Sequence, residues 1–242
     1  MGNNINYNDK AINVPNHIGI IMDGNRRWAK SKLLPIKLGH LEGVKALKRV
    51  LKHIKSNNIP VKYLSVYAFS TENWNRSEEE VSNLMEIFLK YINEIIEDDE
   101  GLRVRIIGDK TAFPEELINK MNIMEEKTSK NDGSTLGVCL NYSGRSDITQ
   151  AVKNIATKVK QGEIDIEDIT QNMIQNNLYT QDFPYPDIVV RTSGEQRISD
   201  FMSWQIAYSE LYFIDKYWPD FNEDDFDNVI LEYSKRSRRF GK

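Results

Sequence analysis

Between His17 and Lys30 the chain reads HIGIIMDGNRRWAK, in which a short apolar run passes directly into an acid, a glycine and paired arginines. The apolar run predicts a buried strand, and the segment after the glycine predicts the start of a helix. Ligands of an open parallel sheet bind at the carboxyl ends of its strands, so we expect Asp23 at such an end. Gly24 lets the backbone approach an anion closely, and the amides of residues 25–27 can donate hydrogen bonds to phosphate oxygens.

A carboxylate beside a phosphate site calls for a bridging cation. Asp23 by itself repels a phosphate, so this segment predicts a divalent metal ion that joins the carboxylate to the phosphate. The alternative is an ordinary strand, turn and helix, in which Asp23 caps the helix and the arginines are solvated.

A second segment, DIVVRTSGEQRISDFMSWQIAYSEL, repeats this arrangement in the last quarter of the chain. Arg191, Arg197 and Ser199 are donors suited to a diphosphate, because the planar arginine fork binds phosphate oxygens in pairs. Glu210 follows on a stretch with helical spacing and is a candidate second metal ligand. The alternative is that Arg197 pairs with Glu195 and that Glu210 is a surface acid.

Composition limits the classes of protein and partner. The chain has 242 residues, of which 40% are hydrophobic, and no linker interrupts it, so we expect a flexible segment at residues 1–14 and one domain at residues 15–242. A net charge of -4 argues against general binding of nucleic acid. Cys139 is the only cysteine, which fits a reducing cytoplasm. The polar start MGNNINYNDK lacks the apolar core of a signal peptide or membrane span.

Six apolar runs predict six strands, and amphipathic segments separate most of them. This alternation is typical of an α/β fold in which helices cover both faces of a mostly parallel sheet. The predicted strands are 18–22, 63–69, 104–107, 136–141, 188–190 and 211–214, and the predicted helices are 40–57, 77–97, 114–130, 145–160 and 224–236. The apolar band of the helix at 77–97 is broader than one packing face needs, although core burial alone accounts for such a band in most helices.

Three motifs resemble those of the cis-prenyltransferase family, and its bacterial undecaprenyl diphosphate synthases are the nearest in pattern. The motifs are MDGNRRWA, FSTENWNR, and RTSGEQRISDF followed by WQIAYSE, and the likeness runs from about residue 17 to residue 241. The resemblance implies a Mg²⁺-dependent enzyme that condenses isopentenyl diphosphate with an allylic diphosphate, such as farnesyl diphosphate. The product would be a cis-polyprenyl diphosphate such as undecaprenyl diphosphate, the precursor of the cell-wall lipid carrier.

The same resemblance implies a single domain with a hydrophobic tunnel walled by the helix at 77–97, and a homodimer. It assigns catalytic roles to Asp23 and Asn73, and metal binding to Asp23 and Glu210. The allylic diphosphate would be bound by Gly24, Asn25, Arg26, Arg27 and His40, and other parts of the substrates by Trp28, Ser70, Trp74 and Arg76. Isopentenyl diphosphate would be bound by Arg191, Arg197 and Ser199, and across the homodimer by Arg239 and Gly241.

Several alternatives stay open at this point. Ser70 and Asn73 are also typical turn residues, and Trp74 is a typical core residue. Members of the family usually carry an arginine where this chain has Ile36, and Lys37 or Arg26 are candidates to replace it. The primer and the product length therefore stay undetermined. The general base is also open, with Asp23 and a diphosphate oxygen as the candidates.

Two other functions compete with the housekeeping synthase. One is a specialised paralogue that makes a short-chain or irregular product. The other is a catalytically silent partner subunit, although such subunits usually lose the first aspartate, which this chain retains as Asp23. The basic end KRSRRFGK is either a solvated tail or a segment that contacts anionic lipid, which would suit an enzyme with a membrane-soluble product. The expected location is the cytoplasm, with peripheral membrane contact for product release as the second possibility.

Overall fold

One parallel sheet organises the chain, for which a computed structural model describes residue 7 and residues 12–98 and 101–236. The strands are β1 (His17–Ile21), β2 (Tyr63–Ser70), β3 (Arg103–Ile107), β4 (Thr135–Tyr142), β5 (Ile188–Arg191) and β6 (Glu210–Phe213). Their order across the sheet is β3-β4-β2-β1-β5-β6, and all neighbouring pairs are parallel. The six predicted strands and the α/β fold class are thereby confirmed.

Helices connect the strands and cover the sheet. They are α1 (Asn25–Ser31), α2 (Ile36–Ser56), α3 (Glu78–Glu97), α4 (Glu115–Thr128), α5 (Gly144–Lys160), α6 (Gln171–Gln175) and α7 (Glu223–Ser234). Helix α2 begins four residues before its predicted start, directly after Pro35, whose fixed φ suits the entry to a helix. Helix α3 begins as predicted, because the Ser77 side chain accepts a hydrogen bond from the Glu80 amide at 3.3 Å.

The sheet is buried on both faces. A large core packs Leu64, Val66 and Phe69 of β2 against residues of the helices, which include Val50 and Phe226. A smaller core on the other face contains Tyr142, Phe201 and the buried Cys139. Strands covered on both faces read as continuous apolar runs, which is why the sequence predicted them well.

The segment before Glu210 does not form the predicted helix. Ser199, Asp200 and Met202 have positive φ angles of 47°, 60° and 48°, which an α-helix does not contain. Glu210 instead opens β6, opposite Ile188 at the start of β5. It therefore lies at the amino end of the sheet, whereas the loops after β1 and β5 leave the carboxyl end.

None of the helices within the described ranges combines the length and the apolar character needed to cross a bilayer.

Candidate active site

Asp23 and Arg191 meet at the carboxyl end of the sheet, because β1 and β5 are neighbours and Arg191 lies opposite Ile21. Arg191 is buried, and its Nη2 donates a hydrogen bond to Asp23 Oδ2 at 2.8 Å. Its Nη1 donates to Ser199 Oγ at 2.8 Å and to the Arg197 carbonyl oxygen at 2.6 Å. One guanidinium group therefore holds together the two loops that the sequence identified.

Arg27 joins the same loops from the first turn of α1. Its Nη2 lies 3.2 Å from Asp23 Oδ2 and donates to Ser193 Oγ at 2.5 Å. Its Nη1 donates to Glu195 Oε1 at 2.9 Å, and Glu195 Oε2 accepts from Arg197 Nη1 at 2.5 Å. The alternative pairing of Arg197 with Glu195 is thus the one seen, and a single carboxylate bridges Arg27 and Arg197. Two guanidinium groups at this spacing can share one anion.

Asp23 is a charged group whose ionised form is stabilised. Burial raises its pKa, but the hydrogen bond and charge of Arg191 and the charge of Arg27 outweigh burial, so the pKa lies below its usual value. Asp23 does not cap α1, since the N-cap is Gly24, which has a φ of 105° and makes no capping side-chain bond. A Cβ at Gly24 would lie 2.8 Å from the Tyr217 ring, so this turn requires glycine.

Asn25 begins α1 beside these charges. Its Nδ2 donates to the Met22 carbonyl oxygen at 3.3 Å. Its Oδ1 is buried and accepts no hydrogen bond from the described part of the chain. This oxygen faces Gly43 of α2 and is closed to solvent, so it fixes the contact between α1 and α2 and is not placed to meet an anion. The predicted contact of Asn25 with the allylic diphosphate stays a prediction.

Glu80, in the first turn of α3, gathers three basic side chains. It is 8% exposed, and its Oε1 lies 2.9 Å from Arg76 Nη1 and 3.4 Å from His40 Nε2. Its Oε2 lies 3.6 Å from Arg26 Nε. Burial and the charge of Arg76 lower the pKa of His40 below its usual value, in opposition to Glu80. The neutral form of His40 is therefore favoured at neutral pH.

Ser70 ends β2 and is the N-cap of a short 3-10 helix (Thr71–Asn75) that contains Asn73. The Ser70 amide donates to Asn73 Oδ1 at 3.1 Å, and the Ser70 side chain accepts from the Asn73 amide, which together form a capping box. The structure therefore shows the turn-forming arrangement for these residues. It does not test the catalytic role assigned to Asn73.

The tryptophans of the first two motifs, Trp28 and Trp74, are held by contacts within the fold. Trp74 packs edge to face on Phe69 with ring centroids 5.0 Å apart, and its Nε1 donates to Asn141 Oδ1 at 2.8 Å. Trp28 is buried and donates from Nε1 to Asp220 Oδ1 at 2.7 Å. Both side chains fix the elements around the site.

An apolar cavity of about 350 Å³ lies beside the charged residues, between α2, α3 and the sheet. Its lining is mainly aliphatic and aromatic and includes Leu47, Leu51, Leu84, Phe88, Ile92 and Val138. Met22, Asn25 and His40 also line it, so the cavity reaches the Asp23 turn. The volume is in the range of small-molecule sites. The broad apolar band of α3 is explained by this cavity, which Ile87 and Tyr91 also contact.

The structure does not bring Glu210 to Asp23 within this chain. Glu210 Oε2 accepts from Arg236 Nη1 at 2.8 Å at the amino end of β6, about 10 Å of strand away from the level of Arg191. Within the single chain the two carboxylates therefore do not meet, and the metal role of Glu210 stays a prediction. In the described ranges no group of three or more histidine, cysteine, aspartate or glutamate side chains is arranged to hold a metal ion. Arg239 and Gly241 lie outside the described residues.

The first turn of α2 contributes no arginine to this site. Ile36 is half-buried there. Lys37 donates from Nζ to Glu86 Oε2 at 2.6 Å and is thereby engaged with α3. Both partners of this ion pair are exposed, so the pair contributes little free energy, and the role that the sequence left open for Lys37 stays a prediction.

Two further residues support the site without any prediction from sequence. Thr192 Oγ1 donates to the Asp23 carbonyl oxygen at 2.7 Å, and the Trp218 amide donates to the same oxygen at 3.0 Å. These bonds fix the turn that carries the Asp23 carboxylate. Thr192 directly follows Arg191 in the segment at 187–211, which is a usable signal, whereas Trp218 lies outside that segment, seven residues after its end.

Comparisons with known proteins identify the family of the chain. A family described as "Putative undecaprenyl diphosphate synthase" matches residues 21–241. The isoprenyl transferase of Fusobacterium nucleatum is 49% identical over 231 residues, which cover 95% of this chain and 96% of the relative. The ditrans,polycis-undecaprenyl-diphosphate synthase ((2E,6E)-farnesyl-diphosphate specific) of Pasteurella multocida is 43% identical over 231 residues, 95% of each chain.

A solved structure shows the same fold. Lavandulyl diphosphate synthase from Lavandula x intermedia, in complex with dimethylallyl diphosphate, superposes with a TM-score of 0.90 at 35% identity, over 97% of this chain and 100% of the other. The site geometry, the family match and these relatives together show that the chain belongs to the cis-prenyltransferase family and is a prenyltransferase of the undecaprenyl diphosphate synthase type.

Proposed function

We propose that the chain condenses isopentenyl diphosphate with an allylic diphosphate, with farnesyl diphosphate as the primer, and repeats the addition to make a cis-polyprenyl diphosphate such as undecaprenyl diphosphate. One observation supports this function most directly: Asp23, Arg27 and Arg191 cluster at the end of an apolar cavity. Guanidinium groups suit diphosphates, and an apolar cavity suits an isoprenoid tail. The name of the Pasteurella relative supports the choice of primer.

The allylic diphosphate belongs at the start of α1. The amides of this turn point along the helix axis toward an incoming anion, and Arg27 adds a charged fork beside them. Asn25 and His40 line the cavity next to this turn, so the isoprenoid tail can enter the cavity while the diphosphate stays at its end.

Isopentenyl diphosphate belongs beside Arg191, Arg197 and Ser199. Arg191 already contacts the Ser199 hydroxyl group and the Arg197 backbone. The Arg197 side chain is mostly exposed and pairs with Glu195, so it can turn to a phosphate at small cost. Because Glu195 bridges Arg27 and Arg197, the two proposed diphosphate sites are adjacent.

Asp23 is the residue proposed to hold Mg²⁺. Its lowered pKa keeps it in the ionised form that a hard cation needs. Proteins commonly bind Mg²⁺ through one or two carboxylates together with substrate phosphates, so a single aspartate fits this mode. When bound there, Mg²⁺ would neutralise charge on the departing diphosphate.

In the proposed reaction, one carbon–oxygen bond breaks and one carbon–carbon bond forms between the two bound substrates. The allylic carbon–oxygen bond breaks as the diphosphate leaves toward Arg27, and the isopentenyl double bond attacks the allylic carbon to form the new carbon–carbon bond. A proton then leaves the isopentenyl unit, which creates the new cis double bond. Asp23 is the weaker of the two candidate bases, because its pKa is lowered. Orientation of two bound reactants contributes several kcal/mol, on the order of 7 or more in favourable cases.

A direct assay tests the proposal. The purified chain is incubated with labelled isopentenyl diphosphate, farnesyl diphosphate and MgCl₂, with a parallel sample in excess EDTA. We expect labelled products longer than the primer, and no extension in EDTA. Failure to extend farnesyl, geranyl and dimethylallyl diphosphates would favour the silent-subunit alternative.

A specialised product is the second candidate function. The lavender structure with a TM-score of 0.90 contains dimethylallyl diphosphate, a five-carbon allylic substrate. Incubation with dimethylallyl diphosphate alone distinguishes the two functions, since a regular synthase needs isopentenyl diphosphate as the acceptor. A ten-carbon product from this single substrate would support the irregular coupling.

Homodimer formation and peripheral membrane contact complete the proposal. Strand β6 is an edge of the sheet, and Leu211 on it and Tyr208 before it are 39% and 73% exposed, which supports a second copy as the partner of this edge. The turn between α1 and α2 exposes 95% of Leu33 next to Lys32, a combination that suits an anionic lipid surface.

A further inference from the structure

The loop after β5 turns through a left-handed backbone at the residues beside Arg191. Ser199 and Asp200 have φ angles of 47° and 60°, a region that costs free energy for residues other than glycine, although aspartate and asparagine enter it more readily than most. Such a conformation persists where neighbouring contacts hold it. Ser199 is exposed, and its hydroxyl oxygen accepts the hydrogen bond from Arg191 Nη1 at 2.8 Å. The hydroxyl group therefore keeps its own hydrogen, which it can donate to a phosphate oxygen.

Asp200 fastens this loop to the beginning of α5. Its carbonyl oxygen accepts from the Gly144 amide at 2.7 Å, and its Oδ2 accepts from the Arg145 amide at 3.2 Å. Its Oδ1 accepts from Ser203 Oγ at 2.7 Å. The first amides of this 17-residue helix have no acceptor within the helix, and a carboxylate is favourable beside them. The carboxylate thus joins the loop both to α5 and to its own next turn.

The part of the loop beyond Asp200 is held by contacts that do not involve this carboxylate. Phe201 and Met202 are fully buried, and the Phe201 ring stacks on Tyr67 with centroids 4.9 Å apart. The Tyr67 hydroxyl group also donates to the Ser199 carbonyl oxygen, but at 3.4 Å this bond is long and restrains Ser199 only weakly. Loss of the carboxylate would therefore loosen the Ser199 end of the loop and leave the buried end in place.

Resting on the proposed function, we propose that Asp200 is a positioning residue, which holds the Ser199 hydroxyl group beside Arg191 for the diphosphate of isopentenyl diphosphate. The Asp200 carboxylate binds the start of α5, so its effect reaches the substrate through Ser199. The effect is therefore specific to isopentenyl diphosphate and does not extend to the primer at the start of α1. Helix α5 thereby supports the isopentenyl site, although none of the three motifs lies on it.

The substitution Asp200→Gly tests this role, because glycine allows a φ of 60° and lacks the carboxylate. Isopentenyl diphosphate is titrated by calorimetry into chain saturated with MgCl₂ and the unreactive farnesyl thiodiphosphate. We expect its Kd and its KM to rise about tenfold, as for the loss of a charge-assisted hydrogen bond, while kcat and the KM for farnesyl diphosphate change less than about twofold. Asp200→Asn, which keeps an acceptor oxygen for the Arg145 amide, should recover most of the lost affinity.

A double-mutant cycle shows whether Asp200 acts through Ser199. In a chain that already carries Ser199→Ala, the change Asp200→Gly should raise the Kd for isopentenyl diphosphate less than about twofold further. Asp165→Gly makes the same change at an exposed position beyond the other end of α5, and as the control it should alter none of these constants. Losses of affinity that add fully would mean that Asp200 does not act through Ser199, and they overturn the inference.

An unchanged Kd in Asp200→Gly, or an equal rise for both substrates, also overturns the inference. A role confined to folding would give the unchanged Kd together with a lower Tm. If Asp200→Gly fails to fold, Ser203→Ala replaces it, since it removes one donor to the carboxylate; a rise of about threefold is then expected, and an unchanged Kd overturns the inference. A wild-type chain that binds isopentenyl diphosphate more tightly than Asp200→Gly but extends no primer would refute the proposed function and leave the positioning role standing.

Discussion

At the scale of single residues, two opposing effects act on the pKa of Asp23. Burial raises the pKa and so disfavours the ionised carboxylate, whereas Arg191 and Arg27 lower the pKa and stabilise the ionised form. A carboxylate prepared in this way stays ionised over the whole physiological pH range. Its neighbours are also the cations that would bind the substrates, so the side chain that holds the metal organises the phosphate sites as well.

The substitution Asp23→Asn should therefore lower kcat at least about a hundredfold, because an amide keeps the shape but supplies no charge for a cation. Arg191 would lose its charged partner while buried, so the free energy of unfolding should fall by about 3 kcal/mol. Steady-state kinetics and urea unfolding measure the two effects. Asp132→Asn, at an exposed loop position, is the control and should change neither. Near-normal turnover of folded Asp23→Asn would contradict the metal assignment.

His17 should make folding stability depend on pH below neutrality. Its ring is buried between the Pro184 carbonyl oxygen at 2.7 Å and Ser65 Oγ at 2.8 Å. Burial lowers its pKa from 6.5 to about 4, although the hydrogen bond with Pro184 and the charge of Asp187 oppose this shift. Between these two pH values the unfolded chain takes up the proton first, so stability falls as the pH falls. The difference amounts to about 3 kcal/mol at most.

Urea unfolding at pH 7, 5.5 and 4.5 measures this dependence. The variant His17→Gln, which keeps polar atoms but does not titrate, should lose less stability over the same range. The difference between the two slopes isolates His17 from the carboxylates that also titrate there. Parallel slopes would show that the His17 ring is protonated as easily in the fold as in the unfolded chain.

At the scale of elements, the contact between α1 and α2 depends on a glycine inside a helix. A Cβ at Gly39 would lie 2.2 Å from the Asn25 carbonyl oxygen, so α2 can approach the start of α1 only without a side chain there. Alanine favours a helix over glycine by about 1 kcal/mol, but the clash opposes this gain. Gly39→Ala should therefore lower the free energy of unfolding by about 1–3 kcal/mol, with Tm falling by about 2–4 °C per kcal/mol.

Lys45→Ala, on an exposed position of α2, is the control for this substitution and should change stability by less than about 0.5 kcal/mol. If the free energy of unfolding of Gly39→Ala equals or exceeds that of this control, α1 and α2 can separate without cost. The close approach of the two helices would then not be what fixes the turn at Asp23 and Gly24.

The elements were predictable where one local pattern determined them. Each strand is an apolar run bounded by Gly, Asp, Pro or Asn. Because the run and its boundary residues indicate the same limits, all six strands lie within a residue or two of their predicted bounds. The prediction of a helix before Glu210 was wrong. The apolar spacing of this segment is typical of a helix, but Ser199 and Met202 have positive φ angles, which a helix does not contain. Spacing along the chain carries no information about such turns.

The candidate site was predictable in the same limited sense. Asp23 and Arg191 end neighbouring strands, and the rule for parallel sheets brings such ends together. The approach of Arg26 and His40 to Glu80 joins three different helices, and no spacing within one motif reveals it. Long-range contacts of this kind depend on how the helices pack on the sheet.

At the scale of the whole molecule, charge and apolar surface are separated along one cavity. The cationic residues Arg27 and Arg191 lie at the sheet end, and α2, α3 and the sheet enclose the apolar part. A diphosphate ester with a growing hydrocarbon tail matches this separation, since its head stays fixed while its tail lengthens. Under the proposed function, the space between α2 and α3 therefore limits the product.

Leu47→Trp should shorten the product, because Leu47 lines the cavity from α2 and indole fills space that the tail would occupy. The first condensations should proceed at a rate within about threefold of the wild type, since the diphosphate contacts are unchanged. Mass spectrometry of the dephosphorylated products gives the distribution of chain lengths. Ile123→Trp adds the same bulk on α4, at a side chain that is 48% exposed and outside the cavity lining, and it should leave the distribution unchanged. Identical distributions for Leu47→Trp and the wild type would show that the tail leaves the diphosphate site by another route.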